Sequence, residues 1–134
     1  MDALKKRILY VEGNRDNREV INLLLKLAGF EVIPAETIAE GLALARAGDL
    51  DLCLLDGKFK DGTGAELCQR IREFDQQTPI IFFSGLAYEA DRERGLSAGA
   101  QAYLTKPHGI DILVETISGW VEAGHSVKES VQTL

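Results

Sequence analysis

Short apolar runs recur along the chain, and each is followed by a longer segment in which apolar and polar positions alternate with helical period. The runs are Ile8 to Val11, Phe30 to Pro34, Leu52 to Leu55, Ile80 to Phe83 and Ala102 to Leu104. Each has the length of a strand, and several carry no polar break, as expected where a parallel sheet is covered on both faces. Between them, Val20, Leu23, Leu24 and Leu27 predict one helix face, with Gly29 closing the helix. Thr37 is placed to cap a helix carrying Ile38, Leu42 and Ala45, ended by Gly48. Thr63 is placed to cap another carrying Leu67, Ile71 and Phe74, and Glu66 completes a capping box. A helix from about Tyr88 to Ala98 has only Leu96 as a large apolar residue. The last helix is marked by Ile110, Leu113, Val114, Ile117 and Val121.

Five strands alternating with five helices predict an α/β fold of three layers, a (βα)5 unit whose right-handed crossovers put helices on both faces of a parallel five-stranded sheet. No repeat or linker interrupts it. The expected domain is residues 1–123, followed at 124–134 by a polar tail or an extension of the last helix.

Composition narrows the function. The chain has 134 residues, 46% hydrophobic and 27% charged, values of a single globular domain that exclude a disordered, collagen-like or disulfide-scaffold protein. Lys and Arg total 15 against 21 Asp and Glu, for a net charge of −6. That balance argues against direct nucleic-acid binding and against an anionic membrane surface. No apolar run approaches the roughly 18 residues of a membrane span. Lys5, Lys6 and Arg7 precede only four apolar residues before Glu12 interrupts, so the N-terminus is not read as a leader. Cys53 and Cys68 match no zinc spacing and read as reduced core thiols, which suits the cytoplasm.

In open α/β sheets the chemistry collects beyond the carboxyl ends of the strands. Those ends carry Glu12, Asp56, Ser84 and Lys106. Two carboxylates, a hydroxyl and a lysine on one rim form a set suited to handling a phosphoryl group on a carboxylate. Taken alone, Asp56 is equally a loop cap, Lys106 a solvated loop lysine, and Ser84 and Tyr103 ordinary strand residues. His108 and His125 read as surface groups and Trp120 as packing.

Four stretches taken together resemble the response regulator receiver domain: Ile8 to Glu12, Leu54 to Gly64, Pro79 to Gly85 and Ala98 to Pro107. The likeness covers nearly the whole chain. It implies a flavodoxin-like fold with strand order 2-1-3-4-5 and phosphotransfer from a sensor histidine kinase or phosphotransfer protein, assisted by magnesium. Asp56 then matches the phospho-acceptor, Lys106 the partner lysine, Ser84 the switch hydroxyl and Tyr103 the switch aromatic. Glu12, Asp56 and the backbone carbonyl of Lys58 match the metal ligands, and Pro107 stands where the family often has a cis bond. The implied partners are the kinase and a downstream output protein or domain, with a homodimer through the last helices and strand as a further possibility. The resemblance further implies a regulatory domain and not a turnover enzyme, at most catalysing its own phosphotransfer and dephosphorylation.

One position departs from the pattern. Gly13 stands where the family has a second acid that ligates the metal, and a glycine supplies no side-chain oxygen. Lys58 and Lys60 add positive charge to the loop after Asp56. Attraction for a divalent cation falls accordingly, so magnesium is expected to bind weakly or not at all. Lys58 or Lys106 could neutralise Asp56 directly, and Asn14, Asp16 or Asp61 could offer a substitute oxygen through water. The competing reading is a phosphorylation-impaired pseudo-receiver that acts as a protein-interaction module. A flavin or nucleotide binder on the same fold is disfavoured, because no glycine-rich phosphate loop follows the first strand.

Overall fold

The structure is a computed structural model that describes residues 5–133, with side chains described through Ala123. Five parallel strands form one sheet in the order β2-β1-β3-β6-β7. They are β1 (Arg7–Val11), β2 (Glu31–Ala35), β3 (Leu52–Leu55), β6 (Ile80–Ser84) and β7 (Ala102–Thr105). Counted within this sheet, the order is the expected 2-1-3-4-5. Between β3 and the third helix, the chain adds a small antiparallel hairpin of β4 (Lys58–Phe59) and β5 (Gly62–Thr63), which the apolar pattern does not announce.

The uninterrupted runs have a direct cause. Alternate residues of each central strand enter opposite cores. Leu9, Val11, Cys53, Leu55, Ile80 and Phe82 face α2 (Ile38–Ala47) and α3 (Gly64–Arg72), meeting Ile38, Leu42, Leu67, Cys68 and Ile71. Ile8, Tyr10, Leu52, Leu54, Ile81 and Phe83 face α1 (Arg15–Leu27) and α5 (Ile110–Thr133), meeting Ile21, Leu25, Leu113, Ile117 and Val121. Neither face can be polar, so the period of two disappears from the sequence. β2 lies at the edge and shows mixed burial. It tolerates Pro34, which sits opposite Tyr10 and cannot donate to a ladder.

The caps predicted at Thr37 and Thr63 form, each accepting a backbone N–H of the helix it opens, and Asn14 caps α1 in the same way without having been singled out as a cap. Only the threonine half of the Thr63–Glu66 box is found among the described hydrogen bonds. Gly29 and Gly48 follow α1 and α2 with positive φ of 98° and 77°.

Two expectations are corrected. The α1 stripe is displaced by one residue: Ile21 and Leu25 are buried, while Val20, Leu23 and Leu27 are 59%, 60% and 78% exposed. Both sets satisfy helical spacing, about 100° apart around the axis. Periodicity alone does not select between them; contact with Ile8 and Tyr10 does. Phe74 lies beyond the end of α3, half-exposed beneath the Arg46 guanidinium.

The thin apolar content of the Tyr88 to Ala98 segment is real. In α4 (Glu89–Ser97) the buried residue is Gly95, which leaves the ring of Tyr103 room against Phe82. Both cysteines are free and buried, and burial pushes their thiols up, Cys53 to about 12 and Cys68 to about 11. No helix among the described residues is long and apolar enough to cross a membrane. α5 is assigned through Thr133; the side chains of the 124–134 segment, His125 included, lie outside the described residues.

Candidate functional site

The carboxyl ends of β1, β3, β6 and β7 are tied into one rim by backbone hydrogen bonds. The Glu12 amide donates to Ala35, that of Asp56 to Val11 and that of Lys106 to Ser84, at 2.8–3.0 Å. The loop after Asp56 is held down by Gly64, whose amide donates to Gly57. A Cβ at Gly64 would fall 2.2 Å from the Asp56 carbonyl oxygen and 2.6 Å from Phe82. The glycine eight positions after Asp56 is therefore a close-approach residue, since nothing larger lets α3 begin there.

Three of the side chains singled out from sequence, Glu12, Asp56 and Lys106, meet on this rim. Lys106 Nζ lies 2.5 Å from Glu12 Oε1 and 3.7 Å from Asp56 Oδ1, so the lysine pairs primarily with the glutamate. Glu12 is 1% exposed. Its Oε2 accepts from the Asn14 amide, and its Oε1 also accepts from the Tyr10 hydroxyl at 3.4 Å. Burial raises the Glu12 carboxyl, but the Lys106 ammonium, the Asn14 amide and the neighbouring Asp56 together hold it below its ordinary value. Asp56 is pushed up to about 6, first by burial and then by the Glu12 charge, against the opposing pull of Lys106. Its Oδ1 accepts from the Gly57 amide at 2.7 Å. The rim thus holds one carboxylate well compensated and one poorly compensated.

A scan against family models matches the response regulator receiver domain over residues 8–118. The chain belongs to this family. The cell cycle response regulators CtrA of Brucella ovis and Brucella anthropi are each 35% identical to it over 127 residues, covering 95% of this chain and 55% of theirs. The receiver therefore spans about half the length of the curated relatives it matches. Among solved structures, the CheY-like receiver domain from Methanospirillum hungatei superposes with a TM-score of 0.87 at 30% identity, covering 92% of this chain and 98% of the other. The response regulator TrrA from Thermotoga maritima, solved in complex with Mg(2+)-BeF, gives 0.78 at 30% identity, covering 86% and 98%. The protein is thus a receiver domain of a response regulator, a regulatory domain of two-component signalling.

The other residues of the receiver's rim divide by position. Ser84 is fully buried at the end of β6, and its Oγ accepts from the Leu86 amide. Tyr103 stacks on Phe82, with ring centroids 5.4 Å apart, and donates its hydroxyl to the Leu86 carbonyl at 2.7 Å. Burial raises the Tyr103 phenol, while the Ser84 hydroxyl beside it opposes that rise. Leu86 therefore joins Ser84 and Tyr103 through one backbone loop. Lys106 precedes a cis peptide bond to Pro107.

Other candidates are engaged elsewhere. Lys58 is exposed on β4, and among the described ion pairs it meets neither carboxylate. Asp61 caps α2, accepting from the Ile38 and Ala39 amides, and Asn14 caps α1. Their oxygens are already in use, and Asp16 is exposed in the first turn of α1.

Two contributors escaped the sequence reading. Arg18 donates to the Glu12 carbonyl at 2.8 Å, and no sequence signal marks it. Tyr10 sits inside an apolar run, yet it lies on β1 two residues before Glu12, and its hydroxyl reaches the Glu12 carboxylate.

A divalent ion at this rim would be offered the Glu12 and Asp56 carboxylates. Glu12 and Asp56 both approach the Lys106 ammonium, and the wall at Gly13 is open: a Cβ there meets only the Glu36 carbonyl oxygen, at 3.6 Å. Among the described residues no cluster of three His, Cys, Asp or Glu side chains occurs. Two carboxylates and retained water suffice for a hydrated magnesium ion, so the residues fit such an ion with one protein ligand fewer than a paired-acid site.

Proposed function

We propose that this receiver domain accepts a phosphoryl group on Asp56 from the phosphohistidine of a sensor histidine kinase or phosphotransfer protein. The observation that carries the reading is the meeting of Asp56, Glu12 and Lys106 on one rim of a receiver fold, with Ser84 buried at the end of the neighbouring strand β6. With its carboxyl at about 6, Asp56 is ionised and nucleophilic near neutral pH. One of its oxygens forms the new bond to phosphorus while the phosphorus–nitrogen bond of the donor breaks and its electron pair returns to the imidazole. Lys106, 3.7 Å from Asp56 Oδ1, is placed to balance the charge of the acyl phosphate. Ser84 presents its hydroxyl to the oxygens, and Tyr103 moves with it through their shared Leu86 contacts. Glu12, Asp56 and the Lys58 carbonyl would hold magnesium, which when bound supplies charge neutralisation at the phosphoryl oxygens.

The switched surface is formed by α4, β7 and α5. It binds an output protein or domain, or a second copy of the chain, as a local charge event shifts a conformational population. In this reading residues 1–123 are the receiver unit, 124–134 extend it as a tail or a longer α5, and the protein works in the cytoplasm without turning over a substrate of its own.

Gly13 favours a second reading, a pseudo-receiver that binds partners without phosphorylation. Intact-mass spectrometry separates the two. Excess small-molecule phosphodonor with magnesium should yield a phosphoryl adduct on the native chain that is absent from Asp56→Asn. No adduct under saturating donor leaves the pseudo-receiver reading standing.

A further inference from the structure

We infer that Tyr10 is a positioning residue that keeps the Glu12 carboxylate on Lys106 and so competes with a divalent cation for it; the inference rests on the cation-assisted reading above. Tyr10 lies on β1 two residues before Glu12, which follows the strand's end, and the phenol is wholly buried in the core beneath α1 and α5. A buried hydroxyl needs a partner. Among the described hydrogen bonds that partner is Glu12 Oε1, at 3.4 Å. The same oxygen takes the Lys106 ammonium at 2.5 Å, and Oε2 takes the Asn14 amide at 3.1 Å.

Three protein donors thus occupy a carboxylate with about four acceptor positions. With Gly13 beside it, Glu12 is the one acid on that turn and must serve both the lysine and any cation. Recruiting a cation draws Oε1 away from Tyr10 and Lys106. Lys106 can follow on its flexible stem, whereas Tyr10 cannot. Its strand is paired on both sides, with Pro34 of β2 and Leu54 of β3 opposite, and its ring is packed. The hydroxyl is then left buried and unpaired, which is unfavourable. Tyr10 therefore biases the site toward the Lys106-paired arrangement, and Tyr10→Phe removes that bias while keeping the ring.

The test is Mn2+ binding to the full chain, read by electron paramagnetic resonance of the free ion, for the native protein, Tyr10→Phe and Gly13→Asp. Tyr10→Phe should bind the ion tighter by about fivefold, the scale of one ordinary hydrogen bond, as suits a contact as long as 3.4 Å. Unchanged or weaker binding by Tyr10→Phe, with Gly13→Asp binding tighter than native, overturns the role of Tyr10 and leaves the cation site intact. No binding by any of the three overturns both. Should Tyr10→Phe fail to fold, the native chain still decides: the Tyr10 ring-carbon resonance must shift during a Mg2+ titration in step with the Lys106 side chain. A Tyr10 resonance that stays fixed while the ion binds refutes the inference.

Discussion

Replacing Asp56 by Asn should stabilise the domain, and the gain should depend on pH in a defined direction. Asp56 is pushed from 3.8 to about 6 by burial and by the Glu12 charge, and its side chain is only 17% exposed. A folded-state pKa above the unfolded value means that the fold favours the neutral form. The stabilising contribution is complete below the unfolded pKa and is lost as pH rises through about 6. The rise from 3.8 to about 6 corresponds to at most about 3 kcal/mol, at about 1.4 kcal/mol for each tenfold change in proton affinity. Residual solvent access and sharing of the proton with Glu12 place the net effect at about 1–3 kcal/mol. Asparagine has the same shape, keeps an oxygen for the Gly57 amide and carries no charge. Urea unfolding without divalent ions should therefore show Asp56→Asn more stable than the native chain by that amount at about pH 8, and nearly equal to it at about pH 4. A variant no more stable at the higher pH, or equally favoured at both, would refute the assignment of Asp56 as the poorly compensated carboxylate.

Two further substitutions test how the rim is held. Arg72 donates to the backbone carbonyls of Gly99, Asp75 and Thr78 and to Gln101 Oε1, all within 3.0 Å, joining the end of α3 to the starts of β6 and β7; Arg72→Met strands these acceptors and should cost about 2–4 kcal/mol in urea unfolding. Gly64→Ala drives a Cβ into the Asp56 carbonyl and should cost at least about 3 kcal/mol. If that variant folds, it should also lose the phosphoryl adduct in the intact-mass assay, because the Asp56 peptide must shift.

The fold was legible because its strongest signal is redundant. Every central strand is buried on both faces, so each apolar run marks a strand whichever side it faces, and the caps at Thr37 and Thr63 repeat the message locally. The helix faces were less legible where apolar residues are in excess: α1 offers two stripes of equal spacing, and only the sheet beneath chooses Ile21 and Leu25. The site residues were legible as strand-end chemistry, but their pairings were not, because Lys106 and Glu12 lie 94 positions apart.

Those pairings change what Gly13 means. Counting charges, the missing acid makes the rim nearly neutral, with Lys58 and Lys106 set against Glu12 and Asp56. In the fold Lys58 points to solvent and Lys106 lies closest to Glu12, to which Tyr10 and Asn14 also donate. The lysine that would compensate Asp56 is largely committed elsewhere, and Asp56 is left beside a carboxylate with three donors of its own, holding its proton up to about 6. The consequence of the glycine is thus uneven partnering more than lower charge. A returning acid at position 13 would act mainly by giving a cation a ligand that Lys106 has not already taken, so that Glu12 need not leave its three donors for Asp56 to be neutralised.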